Sequence, residues 1–182
     1  MIRLFFAIEI PSNIKNEIVK LRDEIYYDDK LYWETKSKYH LTIKFLGDTD
    51  ENLITKLNEM AENVVTNFNR MELTFANFGF FKRGDIPSVL WLGIKNNPML
   101  FAFSKQLDES LKSLGIESEK RKFFPHLTIL RIKNYVEGLK KFENKSADFL
   151  SFNCHSISLI KSDLTKQGSI YTTIKKFNLK EE

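Results

Sequence analysis

Cysteine is nearly missing from this chain: there is one, Cys154, in 182 residues. No intrachain disulfide can form, which fits a reducing compartment, and the cytoplasm is the expected location. "FNCHSISL" around it reads as strand, so Cys154 is expected to be a buried thiol. A catalytic pairing of Cys154 with His155 is not expected, because strand neighbours point to opposite faces. Long apolar runs are also missing. No stretch approaches the roughly 18 residues of a membrane span. The opening "MIRLFFAIEIPSN" has one charge, a short alternating run and no small-residue cleavage site, so no signal peptide is expected. No tract rich in Pro, Gly or Ser marks a linker, and residues 1–182 are enough for one globular domain or two small lobes sharing a core. Disorder is not expected either, with 16 Phe, 6 Tyr and 2 Trp. The 28 Lys+Arg against 24 Asp+Glu leave a charge of +4. That suits an anionic partner without identifying one.

What is present reads as mixed strand and helix. "IRLFFAIEI" (2–10) is a buried strand, and Ser12 is a candidate N-cap. Ile14, Ile18, Leu21 and Ile25 then make a helical stripe. "LYWE" (31–34) suggests a short strand, and 40–46 a longer one stopping at Gly47-Asp48. A helix is expected from about 51 to 68, then strands at 71–81 and 88–94 around a loop "KRGDIP". A third helix runs from about 98 to 114, with Gly115 suited to the position after its end. Strands follow at 126–132, 149–162 and 168–179, with a helix or turn near 136–142 and a hairpin loop at 165–168. Consecutive strands that hairpins can join favour an α+β fold with mainly antiparallel sheet.

Histidine is scarce too, and its distribution is uneven. Of three histidines, two begin the same tetrapeptide, His-Leu-Thr-Ile, at His40 and at His126. In a strand, residues i and i+2 share a face. His40 with Thr42, and His126 with Thr128, therefore point one way, while Leu41, Ile43, Leu127 and Ile129 point into a core. Unpartnered buried polar groups cost on the order of 1–3 kcal/mol each. Two such polar pairs make better sense lining one wet cleft. Two facing imidazoles can deprotonate a nucleophile and protonate a leaving group, since histidine titrates near 6.5. Threonine hydroxyls can hold oxygens that carry charge. A phosphodiester suits this geometry, with attacking and leaving oxygens on opposite sides of phosphorus. No metal is expected: the histidines have neither i,i+4 spacing nor a neighbouring acidic residue on the motif faces.

These residues resemble a family. Paired His-x-Thr-x motifs look like those of the 2H phosphoesterases, closest to the RNA 2′,3′-cyclic phosphodiesterase (2′-5′ RNA ligase-like) branch. The likeness covers almost the whole chain, through "RLFFAIEIP", "HLTIKFLGD", "VLWLGI", "LGIESEKRKFFPHLTILR" and "SLIKSDLTKQGSIYTTIKKFNL". It implies two pseudo-symmetric lobes around a central cleft, with helices on the outer faces. It implies hydrolysis of an RNA terminal 2′,3′-cyclic phosphate to a 2′-phosphomonoester without a cofactor. On that pattern His126 activates water, His40 protonates the departing 3′ oxygen, and Thr42 and Thr128 hold the phosphate; the sequence itself leaves the two histidine roles interchangeable. Reverse 2′-5′ ligation is implied as a side capability. Leu130 departs from the pattern, where a small residue is usual before Arg131, and suggests either a narrower cleft or an altered local strand.

Arg131 is a candidate phosphate grip and Phe45 a candidate base-stacking surface. Strict alternation puts both opposite the histidines, so they reach the cleft only if their strands bend. Lys44 keeps phase with His40 and Thr42, which allows either an RNA backbone contact or a plain surface lysine. His155 reads as structural or surface, and Tyr171 and Trp33 as core or rim packing. The expected partner is RNA with a 2′,3′-cyclic phosphate end or a small cyclic nucleotide, with the protein acting as a monomer. The competing readings are a non-catalytic RNA-end-binding module and a phosphodiesterase for a small cyclic nucleotide.

Overall fold

The computed structural model describes residues 1–166 and 168–181. The chain runs β1 (Ile2–Glu9), α1 (Ser12–Ile25), β2 (His40–Thr49), α2 (Ile54–Val65), β3 (Met71–Arg83), β4 (Ile86–Ile94) and α3 (Pro98–Leu111). It closes with β5 (His126–Arg131), β6 (Ser151–Cys154), β7 (Ser156–Thr165) and β8 (Gly168–Asn178). Short 3-10 turns cover Lys36–Lys38, Glu51–Leu53, Lys112–Leu114 and Glu137–Phe142.

The strands form two four-stranded antiparallel sheets of matching order, β2-β1-β7-β8 and β5-β4-β3-β6. The fold is α+β, as expected. In each sheet the His-Leu-Thr-Ile strand lies at one edge. The segment leading to β2 pairs with the β5 edge: Trp33 bridges to Leu130, and the Glu34 N–H donates to the Ile129 carbonyl at 3.0 Å. Leu41, Leu127 and Ile129 are fully buried, and they join one apolar core with Leu57 of α2 and Phe103 and Leu107 of α3. Burying each such leucine contributes roughly 1.5–3 kcal/mol, and this anchors both motif strands from behind. Among the described residues no helix is long and apolar enough to cross a membrane.

Several local expectations need correction. Ser12 starts α1 but does not cap it; Pro11 precedes the helix and its carbonyl accepts from Lys15 N–H at 2.9 Å. Residues 31–34 contribute one bridge rather than a strand. β2 continues through Gly47 to Thr49, since glycine's permitted φ of 72° lets the strand bend without ending. The "KRGDIP" segment is a tight hairpin whose paired strands reach Arg83 and Ile86. The strand expected over 149–162 breaks at His155, and its two parts join different sheets: β6 pairs with β3, β7 with β1. His155 is an exposed crossover residue whose carbonyl accepts from Leu179. Cys154 is buried, which pushes its thiol up to about 12. In the hairpin loop at 165–168, Gln167 lies outside the described residues; Thr165 and Gly168 pair on either side of it.

Candidate active site

The two edge strands share one irregularity. In β2 the pairing with β1 steps from Lys44 to Thr42, leaving Ile43 unmatched. In β5 the pairing with β4 steps from Leu130 to Thr128, leaving Ile129 unmatched. Each is a β-bulge, and one extra residue reverses the alternation beyond it. Ile43 and Lys44 are both buried, as are Ile129 and Leu130. Phe45 and Arg131 therefore return to the histidine face, where strict alternation does not place them.

The bulge also corrects the reading of Lys44. Its ammonium points inward, to Asp108 Oδ1 at 2.6 Å and the Glu117 carbonyl at 2.9 Å, and ties down the loop after α3. It meets neither solvent nor the cleft. Leu130 occupies the equivalent position in β5 and lies in the core, so it does not narrow the cleft.

A cleft of about 240 Å³ between the sheets is lined by His40, Thr42, His126, Thr128, Arg131, Glu34, Lys38 and Tyr171. It adjoins a second hollow of about 190 Å³ on the His40 side, whose lining includes Phe45, Arg3, Leu164 and Ser162. Phe45 is 52% exposed, so its ring is a surface of this hollow and not core. All six residues singled out from the sequence thus border one connected space.

The histidines are held alike. Nδ1 of His40 lies 2.7 Å from the Lys38 carbonyl, and Nδ1 of His126 lies 2.8 Å from the Phe124 carbonyl. A carbonyl only accepts, so Nδ1 carries the proton in both rings and Nε2 has a free lone pair. Thr42 Oγ1 sits 3.1 Å from His40 Nε2 and can donate to it. Burial pushes His40 down to about 4, aided by the charges of Lys15 and Arg131 and only partly opposed by the Lys38 carbonyl. His126 also contributes to that depression, as a nearby like charge would. Burial lowers His126 as well, with Arg131 acting in the same direction. Both rings are neutral near pH 7 in the free protein.

Three further lining residues, Glu34, Lys38 and Tyr171, lie outside the two motif strands. Glu34 is brought in by the Trp33 bridge, and its carboxylate meets Arg131 Nε at 3.4 Å and Lys38 Nζ at 3.5 Å. An acidic side chain therefore does border the motif faces, contrary to the reading from spacing. Trp33 is itself fixed, stacked on the Arg22 guanidinium with its Nε1 donating to the Asp28 carbonyl. Tyr171 is also a cleft residue, edge-on to His40 at 5.0 Å. Among the described residues no group of three or more His, Cys, Asp or Glu side chains is placed to hold a metal ion.

The fold and the sequence have counterparts. The chain is 37% identical over 180 residues to the RNA 2′,3′-cyclic phosphodiesterase of Methanocaldococcus jannaschii, covering 96% of this chain and 99% of that one. It is 30% identical to the Thermotoga maritima protein of the same name, covering 94% and 92%. The structure of E. coli LigT superposes with a TM-score of 0.82 at 25% identity, covering 98% of this chain and 97% of that one. The profile of the 2′-5′ RNA ligase superfamily matches residues 10–166, a span that takes in both histidine motifs and the bulges behind them. With that match and those relatives, the chain belongs to the 2′-5′ RNA ligase superfamily.

Proposed function

We propose that the protein hydrolyses an RNA terminal 2′,3′-cyclic phosphate to a 2′-phosphomonoester, using His126 as base and His40 as acid. The names of its relatives support the coarser statement, an RNA 2′,3′-cyclic phosphodiesterase. The observation that carries the mechanism is the matched pair of Nδ1–H imidazoles bordering one cleft.

His126 Nε2 takes a proton from water as the water oxygen bonds to phosphorus. The P–O3′ bond breaks, and His40 gives its proton to O3′. The 2′ ester stays intact. Low pKa values suit this division. His126 is already neutral and ready to accept. His40, once protonated, is a strong donor to an alkoxide, and the bound phosphate anion supplies the charge that favours its protonation. Thr42 and Thr128 donate to the non-bridging oxygens, which gain charge in the transition state. Arg131, held by Glu34, adds a positive charge at the rim. Phe45 stacks on the terminal base in the hollow beyond His40. The step as drawn uses no cofactor, and every group comes from one chain, so a monomer suffices. A 5′-hydroxyl in place of water gives the reverse 2′-5′ ligation by the same proton transfers.

The test is product analysis on RNA ending in a 2′,3′-cyclic phosphate. A 2′-phosphate is expected, with turnover retained in EDTA. A 3′-phosphate contradicts the proton assignments. Binding without turnover points instead to a module that holds RNA ends.

A further inference from the structure

The two lobes present different cleft faces. Beside His40, Phe5 is buried and packs against His40 and Tyr171. Beside His126, the rings are open: Phe81 is 37% exposed and Phe124 47%. Phe81 stands edge-on to His126 at 4.8 Å and contacts Phe124 at 5.8 Å. Trp91 backs both, 5.5 Å from Phe81 and 4.8 Å from Phe124. Trp91 pairs with Thr128, and Gly93 with His126, so this cluster is on the histidine face of its sheet.

Glycines make room for it. A Cβ at Gly79 would lie 2.4 Å from the Trp91 ring, and one at Gly93 would lie 3.2 Å from it. The indole therefore lies across Gly79, where any side chain would displace it, and close over Gly93, where one would press on it. The result is an aromatic shelf on the His126 side of the cleft. Exposed cations flank it along the sequence, Lys82 and Arg83 after Phe81 and Lys122 two residues before Phe124. Exposed aromatic rings flanked by cations match the chemistry of a single nucleic-acid strand, with bases on rings and phosphates on charges.

We infer that this shelf binds the nucleoside that bears the 5′-hydroxyl in 2′-5′ transesterification, making it a second nucleoside subsite. The inference rests on the two-histidine reading above. In-line displacement places the entering oxygen on the base's side of phosphorus, and His126 is that base. The nucleoside carrying the cyclic phosphate lies on the other side, in the hollow at Phe45. In the forward step the acceptor O5′ bonds to phosphorus, its proton passes to His126, P–O3′ breaks, and His40 protonates O3′. In reverse, the 3′-hydroxyl of a 2′-5′-linked dinucleotide attacks phosphorus and O5′ leaves from the shelf side. Water needs no shelf, so hydrolysis alone gives no reason for one.

Two substrates separate the possibilities. Adenosine 2′,3′-cyclic phosphate has one nucleoside, whereas 2′-5′-linked ApA has two and is cleaved to the cyclic phosphate and adenosine. Phe124→Ala, with Phe124→Leu as a second variant of retained volume, is compared with the parent by kcat/KM on both, with folding checked by thermal melting. The ratio of ApA cleavage to cyclic phosphate hydrolysis is expected to fall about tenfold in both variants, since stacking is sensitive to loss of the ring. The loss should fall mainly on KM. An unchanged ratio, whether both activities persist or both decline together, overturns the subsite. So does a parent protein that hydrolyses the cyclic phosphate but leaves ApA intact. A parent inactive on both defeats the two-histidine reading itself, a separate result.

Discussion

The strands β2 and β5 repeat one local design in two different settings. Each lies at a sheet edge, starts with His-Leu-Thr-Ile, and bulges at the isoleucine. Each histidine donates Nδ1–H to the carbonyl two residues earlier. Beyond the bulge they diverge: Lys44 and Phe45 in one, Leu130 and Arg131 in the other. Duplicated backbone geometry sets both imidazoles on one cleft, and the unmatched residues make the two sides chemically distinct.

The largest effect tests the shared part. His40→Ala and His126→Ala should each lower kcat about 1,000-fold, within the range for loss of a general acid or base. Melting temperatures should stay close to the parent's, since neither ring belongs to the apolar core. A tenfold or smaller loss in either variant would break the equivalence of the two strands.

Much of the design is legible in the sequence, and the physical reason is periodicity. Apolar stripes in α2 and α3 report their packing faces, and the i, i+2 rule correctly pairs each histidine with its threonine. Alternation fails at one inserted residue. It cannot register a bulge, so Lys44 reads as sharing the His40 face and Phe45 and Arg131 read as facing away. The break at His155 is hidden similarly, because "SFNCHSISLI" is strand-like throughout while its halves pair with different sheets. Glu34 and Tyr171 reach the cleft through tertiary pairing, and no local pattern encodes that.

The divergent part gives the next effects. Leu130→Ala removes a fully buried side chain and should cost about 3 kcal/mol by the cavity it leaves. Lys44→Ala strands Asp108, which keeps 22% side-chain exposure. Its cost should be about 2 kcal/mol, below the 3–5 kcal/mol of a wholly buried pair. Urea denaturation checks both, and equal costs would weaken the contrast between an apolar and a charged anchor.

Acid should expose a smaller difference. His40 has a folded pKa near 4, below its unfolded value of 6.5. The unfolded state thus binds the proton more readily. Stability is full above about pH 6.5 and is lost as pH falls toward 4. From about pH 7 to pH 5 this amounts to about 2 kcal/mol, and His126 adds to it in the same direction. His40→Asn should reduce the loss by more than His126→Asn does, as measured by denaturation at the two pH values.

The most direct test is nitrogen NMR of the imidazoles through a pH titration, with assignment by single substitution among only three histidines. The account predicts Nδ1–H tautomers for both His40 and His126, with His40 protonating near 4, below His126, and both moving upward when a 2′-nucleotide product binds. An Nε2–H tautomer in either ring, or rings that titrate at the ordinary value and ignore the product, would contradict it.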